Sequence, residues 1–172
     1  MKIKRYLLIL ASAMILAGCG GSASTEETPA AADTTVQTEE TVEEAKAVAD
    51  IYDEITANVE LVSPFCWDEE FITNYYDIDV TELEEYVFSM SEDATSAETV
   101  IIMKAKDAAS VSALSDCLLL VVDEKKSEME NYLPEQFDIV VKSSVQTKDN
   151  YVWLVISENA DAILKIIEDG IS

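Results

Sequence analysis

From residue 44 onward the apolar positions keep time, first in steps of three and four and then in steps of two. Val48, Tyr52, Ile55, Val59 and Val62 recur at helical spacing, which predicts an amphipathic helix ended by Ser63-Pro64. Asp68 stands where it could cap a short second helix carrying Phe71, Ile72 and Tyr75. Thr81 with Glu84 three residues on matches a capping box and predicts one more helical turn. Between Glu85 and Ser91 the period changes: Tyr86, Phe88 and Met90 fall on one side, Val87, Ser89 and Ser91 on the other. That is a strand, followed by a polar loop and a second strand, TVIIMKA at 99–105.

After Asp107 the period returns to 3.6. Val111, Leu114, Leu118, Val121 and Val122 share a face, and the charged stretch DEKKSEMEN carries the helix outward. CLLLVV, residues 117–122, is apolar on every side, so this part of the helix is expected to be deeply buried. Leu133-Pro134 is expected to stop it. Phe137–Gln146 and Tyr151–Ser157 read as two strands joined by a hairpin through Thr147-Lys148-Asp149-Asn150. Asn159 is then expected to cap a last helix, with Ala160, Ile163, Leu164, Ile167 and Ile171 inward.

Residues 99–117 and 151–169 align without gaps, each an apolar strand, an Asp or Asn, and an amphipathic helix. Each is preceded by another strand. The simplest account is a β-β-α unit used twice. The expected fold class is therefore α+β: N-terminal helices, then β-β-α-β-β-α, with a four-stranded, mainly antiparallel sheet covered by helices.

The first 43 residues follow other rules. Lys2, Lys4 and Arg5 precede an apolar run of 11 residues, Tyr6–Leu16, far short of the roughly 20 that a spanning helix needs. This reads as a cleaved signal, residues 1–18. Leu16-Ala17-Gly18-Cys19 resembles the lipobox of bacterial lipoproteins. There the cysteine thiol takes a diacylglycerol and becomes the first residue of the mature chain, and the acyl chains replace the lost helix as anchor. The resemblance implies lipidation of Cys19, with the membrane as a partner through it. Residues 20–43 lack aromatics and are rich in Thr, Glu and Ala, so residues 19–43 form a lipidated cysteine and a disordered acidic tether. Random-coil scaling gives that tether a reach of about 25–30 Å. Residues 44–172 make a single domain.

Charge narrows the partners. Among 172 residues, 35 acids against 11 bases give a net charge of −24, and losing three positive charges with the signal takes the mature chain to −27. Such a chain repels nucleic acid, whose recognition requires clustered Lys and Arg.

Chemistry narrows the activities. There is no histidine, which removes His-based triads and bases and most zinc sites. Glycine-rich phosphate loops and Gly-x-Ser-x-Gly elbows are absent from the sequence too. Cys66 lacks a basic neighbour in sequence to activate it, so Cys66 and Cys117 read as small buried hydrophobes, with a disulfide between them as the other option. Paired carboxylates remain, at Asp68-Glu69-Glu70, Asp77-Ile78-Asp79 and 82–85. Asp77 and Asp79 begin like a calcium loop, but its sixth and twelfth positions hold Glu82 and Phe88. The acids are expected to be solvated surface, with no metal and no other cofactor. Phe65, Trp67, Phe71, Tyr75 and Tyr76 could line a binding groove, although helical spacing more commonly means core.

Tyr76-Asp77-Ile78-Asp79, a Glu-rich loop, Tyr132-Leu133-Pro134-Glu135 and a closing Asn150-Tyr151-Val152 strand together resemble a known family. It comprises lipoproteins of Gram-positive, Clostridia-type bacteria whose shared domain is catalogued as domain of unknown function 4358. The likeness spans about residues 45–170. It implies an extracytoplasmic location, anchored to the cell membrane, and an α+β fold, and it carries no activity or site residues. The expected function is a non-enzymatic, membrane-tethered binding or interaction domain for an unknown envelope protein or ligand. The alternatives are a structural accessory subunit of an envelope complex and a carboxylate-based hydrolase.

Overall fold

The two faces of TVIIMKA need covers of their own, and this sets the architecture. In strand β3 (Thr99–Ala105) of the computed structural model, Ile101 and Met103 point into one core, Val100 and Ile102 into another. The structure describes residues 45–172; the signal, Cys19 and the tether lie outside the described residues. Around β3 run β1 (Pro64–Cys66), β2 (Leu83–Ser91), β4 (Val145–Lys148) and β5 (Tyr151–Ile156), in the order β1-β2-β3-β5-β4, antiparallel throughout. Helices α1 (Val48–Asn58) and α5 (Ala160–Gly170) seal one face through Val48, Ile51, Ile55, Ile163 and Ile167. Helices α2 (Glu69–Tyr76), α3 (Val111–Met129) and α4 (Pro134–Lys142) seal the other through Ile72, Leu114, Leu118, Val121 and Val140. The result is a three-layer α+β domain, and a strand buried on both faces explains an apolar run that does not alternate.

Five strands replace the expected four, and the differences are local. β1 is three exposed residues that become a strand only because Phe65 pairs with Met90 and Cys66 with Ser89. The expected strand over Phe137–Gln146 is a helix to Lys142 and a strand only from Val145. Pro134 begins this helix instead of merely ending the one before, since the first helical position requires no N–H and its φ is preset. The first helix ends at Asn58, before Ser63-Pro64. The turn near residue 81 is a 3-10 turn, Val80–Glu82, capped by Asp79 and not by Thr81. Asn159 sits at the N-cap of α5, but its own N–H is the bonded group, donating to Ser157 Oγ at 3.0 Å, and its side chain reaches the Glu60 carbonyl instead.

CLLLVV is not buried throughout. Leu118, Val121 and Val122 are inside, whereas Leu119 and Leu120 are 48% and 60% exposed. A helix lying on one sheet has only one face to hide, however apolar its other side.

The internal echo holds for strand and helix alone. Ile101 and Met103 face α3, and their counterparts 52 positions on, Trp153 and Val155, face α5. Because β3 and β5 are antiparallel neighbours, the two helices land on opposite faces while β2 and β4 flank outward. The two β-β-α units consequently have opposite hand and do not superpose.

Candidate functional site

β2 starts at one end of the sheet and finishes at the other, so it provides a ruler for the surface. At its start the chain enters the domain. Lys46 N donates to the Gly170 carbonyl at 2.8 Å, and Val48 N donates to Glu85 Oε2 at 2.6 Å. Five residues along β2, about 17 Å at roughly 3.3 Å per residue, Met90 pairs with Phe65 of β1. There the chain turns through Ser63, held at φ 42°, a left-handed conformation that a non-glycine residue adopts only under constraint. The constraint is Glu98, whose buried carboxylate accepts the Val62 N–H and the Ser157 hydroxyl.

The constraint sets a row of aromatic rings. Trp67 N donates to the Phe88 carbonyl at 2.9 Å, which fixes Trp67 on the sheet. Asp68 follows as N-cap of α2, accepting from Phe71 N at 3.0 Å. Capping aims Phe71 and Tyr75, one helical turn apart, back toward Trp67. Trp67 and Phe71 stack at 3.9 Å, Phe71 and Tyr75 at 4.6 Å, and Phe65 meets Trp67 edge-on at 4.9 Å. Tyr75 is 72% exposed and Phe65 41%, so both ends of the row open to solvent. Tyr76, expected in the same set, is core: it packs on Phe88, and its hydroxyl donates to Glu124 Oε2 at 2.7 Å. Burial first, and then Glu124, hold that phenol above the usual tyrosine range.

On the other side of the same corner, Tyr52 OH donates to Ser89 Oγ at 2.7 Å. Burial pushes this tyrosine up to about 12, the Ser89 bond works against that, and the nearby Cys66 adds to it. Cys66 is exposed, contrary to expectation, because β1 is an edge strand. Cys117 is half-buried on α3, across the sheet from the face where Cys66 opposes Ser89. Both thiols are free. Burial pushes the Cys117 thiol up, with Asp77 and Asp116 adding to the effect.

Asp77 ends α2 in a left-handed turn at φ 54°. Asp79 turns its Oδ1 to Thr81, accepting from N at 2.9 Å and Oγ1 at 2.6 Å, and the Thr81 hydroxyl bond lowers its pKa. Among the described residues, no three His, Cys, Asp or Glu side chains are grouped to hold a metal ion.

A second recess lies past the far edge of the sheet, between α4, α5 and the β4–β5 pair, with a volume of about 630 Å³. Glu135, Asp138, Glu158 and Asp161 line it, with Lys142 as its cation. Ile139 and Val155 give it an apolar base. Its lining comes from the consecutive elements α4, β4, β5 and α5, residues 135–164, and the strand expected over Phe137–Gln146 hid it in the sequence. Glu98 was equally hidden, being one acid among many until Ser157 and Val62 close on it.

The model of one family, described as a domain of unknown function (DUF4358), matches residues 57–157. That span runs from the last turn of α1 to just past β5, and so includes the whole aromatic row. No curated protein matches the chain, and no solved structure does.

Proposed function

The chain belongs to the DUF4358 family of domains of unknown function, and we propose that it is a non-enzymatic extracytoplasmic lipoprotein domain that binds a partner while held to the membrane through lipidated Cys19. One observation carries this reading. The chain enters the domain beside Gly170 and Glu85, and at the opposite end of β2 sits the aromatic row, with Phe65 and Tyr75 exposed and Trp67 and Phe71 partly buried against the core. A tether joined at the entry end would leave the row clear of its own attachment point. Exposed contiguous aromatic surface is costly to keep in water and characteristic of interaction sites. Among the described residues no helix is long and apolar enough to cross a membrane, so anchoring in this reading falls to Cys19. The test is fractionation of Cys19→Ser. The variant should leave the membrane fraction, and retention equal to wild type would remove the tether from the account.

The recess between α4 and α5 supports a second reading, a hydrolase working with two carboxylates, because it offers concave walls with acids on both sides. Asp138→Asn with Glu158→Gln would then abolish glycan hydrolysis by the purified chain. If the wild type releases no product from cell-envelope glycans, this second reading fails.

A further inference from the structure

Between Lys46 and Lys104 the chain carries 15 carboxylates and not one Lys or Arg. The whole aromatic row lies within that stretch. Asp68, Glu69 and Glu70 form the cap and first turn of α2, the same helix that presents Phe71 and Tyr75. On the neighbouring face of α2 these three acids, with Thr73 and Asn74, surround an open depression of about 430 Å³. Rings exposed beside unneutralised carboxylates ask for a ligand that is cationic at its tip and apolar along its stem. The negative face of an aromatic ring attracts an ammonium or guanidinium group lying over it. Lys and Arg also lay their methylene stems along apolar surface while the charge reaches polar surroundings.

We propose that this row, Phe65-Trp67-Phe71-Tyr75, is the docking surface for an Arg- or Lys-rich segment of a partner protein. The cationic groups lie over Tyr75 and beside Asp68, Glu69 and Glu70, and the stems lie along the stacked rings. A second copy of this chain is the wrong occupant by charge, since −24 would face −24. Strand addition is not the mode of capture, because β1 is short and opens with Pro64, which has no N–H to offer an added strand.

The proposal rests on the binding reading above, and its test is independent of the membrane anchor. The full chain is solubilised in non-ionic detergent at physiological ionic strength and titrated with a short Arg-Ser repeat peptide. Tryptophan fluorescence is the readout, since Trp67 lies in the row and Trp153 is buried in the core. The peptide should bind saturably, and a Glu-Ser repeat should not. Phe65→Ser with Tyr75→Ser should weaken binding about tenfold, the scale of two cation–π contacts. Glu135→Gln with Asp161→Asn, in the recess on the other edge, should leave it within about twofold, because charges so far apart are screened. Tyr75→Ser alone, a change to a mostly exposed side chain, keeps the test valid if the double variant does not fold. Equal losses from both pairs, or tetramethylammonium binding as tightly as the peptide, would overturn the proposal. A wild-type dimer in sedimentation that the ring variants dissociate would overturn it as well. Cys19→Ser fractionation reads the tether separately, so either result can fail without the other.

Discussion

At the end of the sheet where the chain enters, lysines answer the carboxylates. Lys46 meets Glu54 at 2.7 Å, Lys104 meets Glu84 at 3.2 Å and Glu85 at 3.7 Å, and Lys148 Nζ donates to the Ile171 carbonyl at 3.2 Å. Lys104 also sits over the Tyr151 ring, and its pKa is raised, chiefly by its bond to Glu84. At the β1 corner the acids are handled differently. Glu98 is satisfied by one N–H and one hydroxyl, and Asp68 by a helix N-terminus. The aromatic row at this corner finds no cation within its own stretch of sequence. One end has its electrostatic partners built in. The other has Phe65 and Tyr75 exposed and, among the described residues, no lysine bridged to Asp68, Glu69 or Glu70; in the proposed reading a partner supplies that cation.

The largest effect should come from the core that both ends share. Ile102, fully buried between the two ends, should cost about 2–5 kcal/mol on truncation to Ala, with both ends lost in one transition. Two separate denaturant transitions would show that the ends are independent units. Next is Glu98→Ala, which leaves the Val62 N–H and Ser157 hydroxyl without their acceptor and should cost about 1–3 kcal/mol. Lys104→Ala breaks partly exposed ion pairs at the entry end and should cost about 0–1 kcal/mol, shrinking further in salt. If Lys104 proves costlier than Glu98 in the same melts, the contrast between the ends is wrong.

Alkaline pH should single out the β1 corner. Tyr52 keeps its proton to about 12 in the folded state against an ordinary 10.0, and Tyr76 is raised as well. The folded protein therefore holds protons that the unfolded chain has released. Stability from this source is intact below pH 10 and falls as pH rises toward 12. Tyr52→Phe and Tyr76→Phe should each make that fall shallower. Tyr132→Phe, at a side chain 85% exposed, should leave it as it is. A steep alkaline loss unchanged in the Tyr52 and Tyr76 variants would place its source elsewhere. The smallest effect should be Leu120→Ser, within about 0.5 kcal/mol, because that side chain is already in water.

Periodicity made the doubly covered strands and the α5 stripe readable, since Ile163, Ile167 and Ile171 recur as a helix must and are all buried. It failed where a neighbour decides. β1 exists only by pairing with β2, and three residues hold too little pattern to show it. Phe137-Asp138-Ile139-Val140-Val141 has the β-branched content of a strand, and packing of Val140 with Pro134 at the helix start overrides that preference. The aromatic row was half legible. Sequence selects the same rings, but whether they are core or groove depends on where Asp68 caps α2, which separates Tyr76 inside from Tyr75 outside. The recess beyond β4 was not legible, because one of its walls is α4, whose sequence reads as a strand.

The contrast between the two ends meets its most direct test in intact cells. A photo-crosslinking amino acid is placed at Tyr75, in the aromatic row, and separately at Lys148, by the entry. The account predicts a discrete protein adduct from position 75, lost on adding Phe65→Ser, and none from position 148. An adduct from 148 with none from 75 would contradict it and put the binding face at the end where the chain enters the domain.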